Sequence, residues 1–283
     1  MAAAQSDLEQ SFASVDDVKI KKEAGLELIE MVLASGDLDK AASLVSTLEQ
    51  MTPQDPQILF VAYQISIQKV DRTLLNMAIA APDSAELHMM MADQFVLMGD
   101  PDNAIAQYRE AIRLNPSLPG VHFELGVQLK DSSNPALKPQ AEHEFRAALS
   151  LNQFDEKAWR GLGEVMADKG DFSAAKEDYT RALALNRKDS DVETDLAKLL
   201  SAHGDAQEAT SLLEMAVTDD PTNIQAHYQL STLYRQAGRT TDAQHEMNEF
   251  AHYRSIKERL GKVFRQFRQA DDSNDATTPP SPQ

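Results

Sequence analysis

The sequence predicts an all-α protein built as an elongated array of helix–turn–helix units, each covering its neighbour's apolar face. Three observations carry that reading. The stretch NAIAQYREAIRLNP, Asn103 to Pro116, returns as AEHEFRAALSLNQ from Ala141, AAKEDYTRALALNR from Ala174 and EATSLLEMAVTDDP from Glu208. Within it the bulky residues Tyr108, Phe145, Tyr179, Leu213 and Met247 stand 37, 34, 34 and 34 residues apart. Upstream of each copy lies a second amphipathic stretch, such as AWRGLGEVMADKGD, with apolar residues at helical spacing, and nothing alternates with period two for long enough to form a strand.

The elements follow from small residues, glycines and prolines in register. Ala92, Gly126, Gly163, Ala197 and Ser231 let the first helix of a unit approach its partner, and Ala104, Ala141, Ala175, Ala209 and Ala243 do so from the second. Gly36, Gly99, Gly170, Gly204 and Gly238 fit the ends of first helices, where a left-handed backbone is cheapest for glycine. Pro53, Pro82, Pro116 and Pro221 close second helices, since proline cannot continue the hydrogen-bond ladder.

Seven units result, over residues 22–55, 56–84, 85–118, 119–155, 156–189, 190–223 and 224–254. The first has Ile29 and Leu48 where the others have small residues, and the second is short, with Pro53 and Pro82 only 29 residues apart. In the fourth, KDSSNPALKPQ inserts three residues and carries Pro135 and Pro139. Gln153 and Arg187 replace the closing proline, and Phe250 replaces a small residue in the last unit. Beyond the array, residues 255–269 read as an amphipathic basic capping helix, with Ile256, Leu260, Val263, Phe264 and Phe267 opposite the charges. Residues 1–15 lack a pattern and 270–283 are polar and proline-bearing, so both are expected to be disordered.

The recurring columns resemble the tetratricopeptide repeat family, and the resemblance covers about Lys22 to Arg254. The unit from Ala158 carries nearly the whole motif, with Trp159, Leu162, Gly163, Ala175, Tyr179 and Ala182. The helix pairs look bacterial in style, with GD turns and ALALN endings. The resemblance implies a right-handed superhelical solenoid whose first helices line a concave groove for a peptide segment, and a noncatalytic interaction scaffold.

On that pattern Met89, Asp93, Val96, Phe123, Val127, Lys157, Arg160, Glu164, Lys198, Tyr228, Thr232 and Arg235 are expected in the groove. Its N-terminal half is apolar with acidic patches, and its C-terminal half carries Lys157, Arg160, Lys198, Tyr228 and Arg235, which suits a partner with an apolar part and an acidic part. The alternative is that the methionines fill gaps in the core and the basic residues pair with acids of the same chain. One subclass of the family grips the C-terminal carboxylate of chaperone tails. Of its five positions, occupied here by Met89, Asp93, Glu124, Lys157 and Gly161, only Lys157 fits. A second candidate docking surface is the basic C-terminal helix with Lys257, Arg259, Lys262 and Arg265, suited to an acidic partner, nucleic acid or a membrane surface.

Composition restricts the remaining choices. A net charge of -18 opposes general affinity for nucleic acid and anionic lipid, both of which require Lys or Arg to replace counter-ions. With no cysteine there is no disulfide, thiolate ligand or thiol nucleophile. No apolar run reaches the roughly 20 residues of a membrane-spanning helix. The chain as it stands reads as cytoplasmic, or as periplasmic or secreted if MAAAQSDLEQ follows a trimmed export signal. His88, His122 and His227 hold equivalent places in their units, which points to packing or surface use and not to a metal. No phosphate-binding loop, dinucleotide fingerprint or nucleophile elbow is present, so neither cofactor nor catalysis is expected.

Overall fold

The computed structural model describes the backbone of residues 2–275 and the side chains of residues 6–262. Its described residues form 14 α-helices and no strand. They divide into two units, residues 1–91 and 92–283.

In the first unit α1 (Ala2–Ser14), α2 (Val18–Ala34), α3 (Leu38–Met51) and α4 (Pro56–Ala80) surround a core of Leu28, Ile29, Val32, Val45, Leu48, Ile58 and Ile65. Here the structure corrects the expectation that residues 1–15 are disordered. Leu8 and Phe12, one helical turn apart, pack on that core, and a Cβ on Gly25 would lie 2.8 Å from the Phe12 ring. A second correction concerns residues 56–84, expected to be a short helix pair. Residues 56–80 form one helix, started by Asp55, whose carboxylate accepts from the amides of Gln57 and Ile58, and by Pro56 at its first position. After Pro56 it contains neither glycine nor proline, and Asp71 and Asn76 are accommodated inside it, so nothing in the segment makes the turn.

Helix α5 (Ala85–Met98) crosses the division, and from Ala92 onward it belongs to the second unit. The helices that follow are α6 (Pro101–Leu114), α7 (Val121–Asp131), α8 (Lys138–Leu151), α9 (Glu156–Asp168), α10 (Phe172–Leu185), α11 (Ser190–Ala202), α12 (Ala206–Asp219), α13 (Ile224–Gln236) and α14 (Thr240–Asp275). They form a solenoid of helix pairs in which successive helices pack on one another.

In α2–α3, α5–α6 and α9–α10 the turn inside the pair is a glycine in the left-handed region followed by a capping aspartate, Asp37, Asp100 or Asp171. At Gly170 φ is +77°, the amide of Asp171 donates back to the Met166 carbonyl at 2.9 Å, and the Asp171 carboxylate accepts from the Ala174 amide. Between pairs, the turn is made by the residue before the expected proline. The side-chain oxygens of Asn115, Asn152, Asn186 and Asp220 each accept from the amide two residues on. Gln153 and Arg187 can therefore stand in for proline.

Packing uses small residues against rings. Phe145 is fully buried between Gly126 and Gly161, where added Cβ atoms would lie 2.8 and 2.6 Å from its ring. Tyr179 meets Gly163 in the same way.

The histidines also have a shared role. His122 sets one ring nitrogen 2.6 Å from Glu144 and the other 3.0 Å from the Pro116 carbonyl; His227 does the same with Glu246, at 2.6 Å, and Pro221, at 2.9 Å. Trp159 stands in this column and donates to the Gln153 carbonyl at 2.9 Å. Glu193 is the fourth member, 2% exposed, with Oε2 lacking any partner among the described residues. Burial, with Asp219 and Asp189 adding to it, pushes its carboxyl up to about 7.

The closing helix differs from the expected one. The second helix of the last unit and the basic segment are one continuous helix, α14, because nothing between Arg254 and Ser255 breaks it. Ile256 and Leu260 are exposed on it, at 39% and 52%. Val263, Phe264, Phe267 and Arg265 lie outside the residues whose side chains are described, and the tail beyond Asp275 lies outside the described residues.

Candidate peptide-binding groove

The first helices of successive pairs in the second unit, α7, α9, α11 and α13, line two adjoining cavities that share Arg160 and Asp191. One, of 340 Å³, has Phe123 and Val127 from α7, Lys157, Arg160 and Gly161 from α9, and Phe145 at its floor. The other, of 380 Å³, is bounded by Thr194 and Asp195 of α11, Asp220 at the end of α12, Asn223 at the start of α13, and Lys257 of α14.

Phe123 is held by its neighbour: its ring centroid lies 6.0 Å from that of Phe145, the rings inclined at 48°. Phe145 is in turn wedged between two glycines, so the apolar end of the groove rests on a packed support.

Arg160 is tied down by acids. Its Nε lies 2.9 Å from Asp195 and 3.1 Å from Glu164, and its Nη1 2.9 Å from Asp191. Burial opposes the guanidinium charge, yet Asp195, Glu164 and Asp191 outweigh it and raise the arginine's pKa. Burial pushes Asp195 up to about 6, against the lowering influence of Arg160. Lys130 completes the network, with its ammonium 2.5 Å from Glu164.

Asp93 and Glu124 form a second acidic point. The Tyr108 hydroxyl donates to Asp93 at 2.6 Å. Burial raises the pKa of Glu124, Asp93 adds to the rise, and Lys157 works against it.

Among the expected groove residues, the structure brings Phe123, Val127, Lys157 and Arg160 together in one cavity. Asp93 is occupied by Tyr108, and Met89, in the first unit, is half-buried. Lys198, Tyr228 and Arg235 are exposed and line neither cavity, and the Tyr228 ring sits 5.4 Å from Phe250. On the alternative docking helix, Lys257, Arg259 and Lys262 are exposed, and Lys257 lines the second cavity.

The expected free basic half is altered most. Arg160 already faces three carboxylates, and the second cavity sets Asp191, Asp195 and Asp220 against Arg160 and Lys257. The residues missed were these acids and Asn223, whose buried amide donates to Ser190 Oγ at 2.7 Å. Asp191 and Asp195 fall 31 and 35 positions after Arg160, one repeat on to either side, and that spacing was the available signal.

Among the described residues no group of three His, Cys, Asp or Glu side chains could hold a metal ion, and no helix is long and apolar enough to cross a membrane.

Comparison with known proteins places these features in a family. A TPR repeat profile matches residues 92–131, and tetratricopeptide repeat profiles match 138–191, 166–217 and 200–251. The chain is 30% identical to BBSome complex member BBS4 of Bos taurus over 173 residues, 60% of this chain and 32% of that protein. It is 28% identical to cellulose synthase operon protein C of Xanthomonas axonopodis pv. citri (strain 306), over 53% of this chain and 10% of the relative. The chain thus spans about a third or less of the curated relatives named here. A crystal structure of MamA protein superimposes with a TM-score of 0.51 at 21% identity, over 63% of this chain and 96% of that one. The Cut9 and Hcn1 assembly of the APC/C gives 0.52 at 16% identity, over 87% of this chain and 55% of its own. With repeat profiles covering the second unit from residue 92 to residue 251, save a short gap at the insertion, and the same helix pairs in its neighbours, this chain belongs to the tetratricopeptide repeat proteins.

Proposed function

We propose that the chain is a noncatalytic interaction scaffold that holds a peptide segment of a protein partner in the groove of its second unit. The observation that carries this reading is the cavity in which Phe123 and Val127, supported by buried Phe145, adjoin Lys157 and the Arg160 ion cluster. An apolar side chain of the segment seats against Phe123 and Val127, and polar groups beside it meet Lys157 and the carboxylates around Arg160. Because Arg160 is already neutralised, it positions the groove wall, and Lys157 is the groove cation left exposed for an acidic group of the partner.

Two of the similar proteins belong by name to multi-subunit assemblies, the BBSome and the APC/C, which suits a scaffold. The test is selection from a displayed peptide library, followed by affinity measurement. Phe123→Ala with Val127→Ala is expected to weaken a selected peptide about tenfold or more, with thermal stability recorded for each variant. Peptides that bind the variant equally well would overturn the reading.

The position of Lys257 favours one second reading, in which α14 docks an acidic partner, nucleic acid or a membrane surface. Binding by that route falls steeply with salt and is lost in a Lys257→Glu, Arg259→Glu, Lys262→Glu variant, whereas groove binding to Phe123 survives it.

A further inference from the structure

The long helix α4 has two faces of different character. Ile58, Ile65 and Arg72, seven residues apart, look inward: the two isoleucines are buried in the core of the first unit, and Arg72 reaches Asp39 of α3 at 3.3 Å. On the opposite side Phe60, Tyr63, Ile67, Val70, Leu74 and Met77 recur at alternating spacings of three and four. That is the 3.5-residue period of a helix seam made for another helix, sustained over roughly 27 Å of axis.

The seam is open. Phe60 is 58% exposed, Tyr63 60%, Ile67 43% and Val70 44%, and Leu59 on its flank is 47% exposed. If these five side chains give up their exposed parts, on the order of 500 Å² of apolar surface is covered per protomer, about the apolar share of an interface of roughly 800 Å² per partner.

Charge selects the occupant. The chain carries -18, which sets copies apart, yet α4 holds only Lys69, Asp71 and Arg72 among its 25 residues. Both cations are drawn to Asp39, Lys69 at 3.0 Å and Arg72 at 3.3 Å. The positions flanking the seam are Gln64, Ser66, Asp71 and Thr73, so two copies meet here with a single charge each.

Size selects the direction. In antiparallel register the layers are Phe60 with Met77, Tyr63 with Leu74 and Ile67 with Val70, each ring opposite an aliphatic or thioether chain, and Asp71 lies beside Gln64 of the other copy. A parallel pair would stack Phe60 on Phe60 and Tyr63 on Tyr63 at one end and leave Val70 against Val70. We propose that α4 is a self-association surface, pairing antiparallel with α4 of a second copy of this chain about a two-fold axis.

Sedimentation equilibrium of the full chain between roughly 1 and 100 µM tests this. Its mass is expected to rise from that of the 31.3 kDa chain toward twice that value. Ile67→Glu and, separately, Tyr63→Lys are expected to hold the chain monomeric across the range with unchanged helical circular dichroism, since both side chains lie outside their own core. The chain has no cysteine, so introduced thiols report the register cleanly. Tyr63→Cys mixed with Leu74→Cys should cross-link, and Tyr63→Cys alone should not. A wild-type chain that stays monomeric, a dimer that persists in folded Ile67→Glu and Tyr63→Lys chains, or self-cross-linking of Tyr63→Cys would each overturn the proposal.

Discussion

Glu193 stands in a column that elsewhere holds a ring N–H, and it faces the consequence alone. His122 and His227 have Glu144 and Glu246 to meet, whereas the residue one repeat on from Asp178 and one repeat before Glu246 is Leu212. The folded-state pKa of Glu193, about 7, lies above its ordinary 4.5, so between those values the folded chain binds more protons than the unfolded one. The contribution of Glu193 to stability is therefore fully present below about pH 4.5 and is lost as the pH rises through 7. Asp178 and Asp195, each pushed up to about 6 mainly by burial, act with the same sign from a lower starting value. Glu193→Gln should match the wild type near pH 4.5 and exceed it by about 1–3 kcal/mol at pH 8, measured by urea unfolding at both values. Equal stabilities at pH 8 would show that the carboxylate finds a partner. A second residue-scale prediction concerns Gly161, where a methyl group would lie 2.6 Å from the Phe145 ring. Gly161→Ala should cost about 1–3 kcal/mol, and adding Phe145→Leu should recover part of it.

Elements are decided by their ends. Gly170→Ala forces an alanine into a left-handed backbone at φ +77° and should cost about 1–2 kcal/mol; Asp171→Ala removes only the cap and should cost about 1 kcal/mol in the same chemical denaturation assay. The glycine positions were legible because a left-handed turn leaves few residue choices. The closing turns were read one residue late: proline is conspicuous, but the Asx residue before it makes the hydrogen bond, as Asn152 and Asn186 show without any proline. Helix α4 escaped the repeat pattern for the complementary reason. Period alone suggested a helix pair, and only the absence of glycine and proline between Pro56 and Ala81 argues for one helix. The same lack of a breaker makes α14 continuous across residue 254.

At the scale of the whole chain, a stack of pairs distributes stability among neighbours, and Arg160 is where the groove and the stack meet. Column alignment was enough to place Phe123, Val127, Lys157 and Arg160 on one surface, because residues a repeat apart lie side by side. It could not show that Arg160 is claimed, since that depends on side chains from α9 and α11 converging on one guanidinium. The local consequence is testable. Arg160→Ala leaves Asp195, largely covered, without its counter-charge and Glu164 with Lys130 alone, and should cost about 1–3 kcal/mol, less than a fully buried pair because the arginine's side chain is 30% exposed. In an array that transmits only between neighbours, the loss stays near its origin. Hydrogen exchange should therefore speed up in α9 to α12 and remain at wild-type rates in α2, α3 and α6. Uniformly faster exchange would mean that the repeats unfold as one block, and unchanged exchange in α9 and α11 would mean that the ion cluster contributes nothing to their stability. A peptide that loses affinity for Arg160→Ala must be judged against this result, because the substitution loosens the groove wall as well as removing a charge.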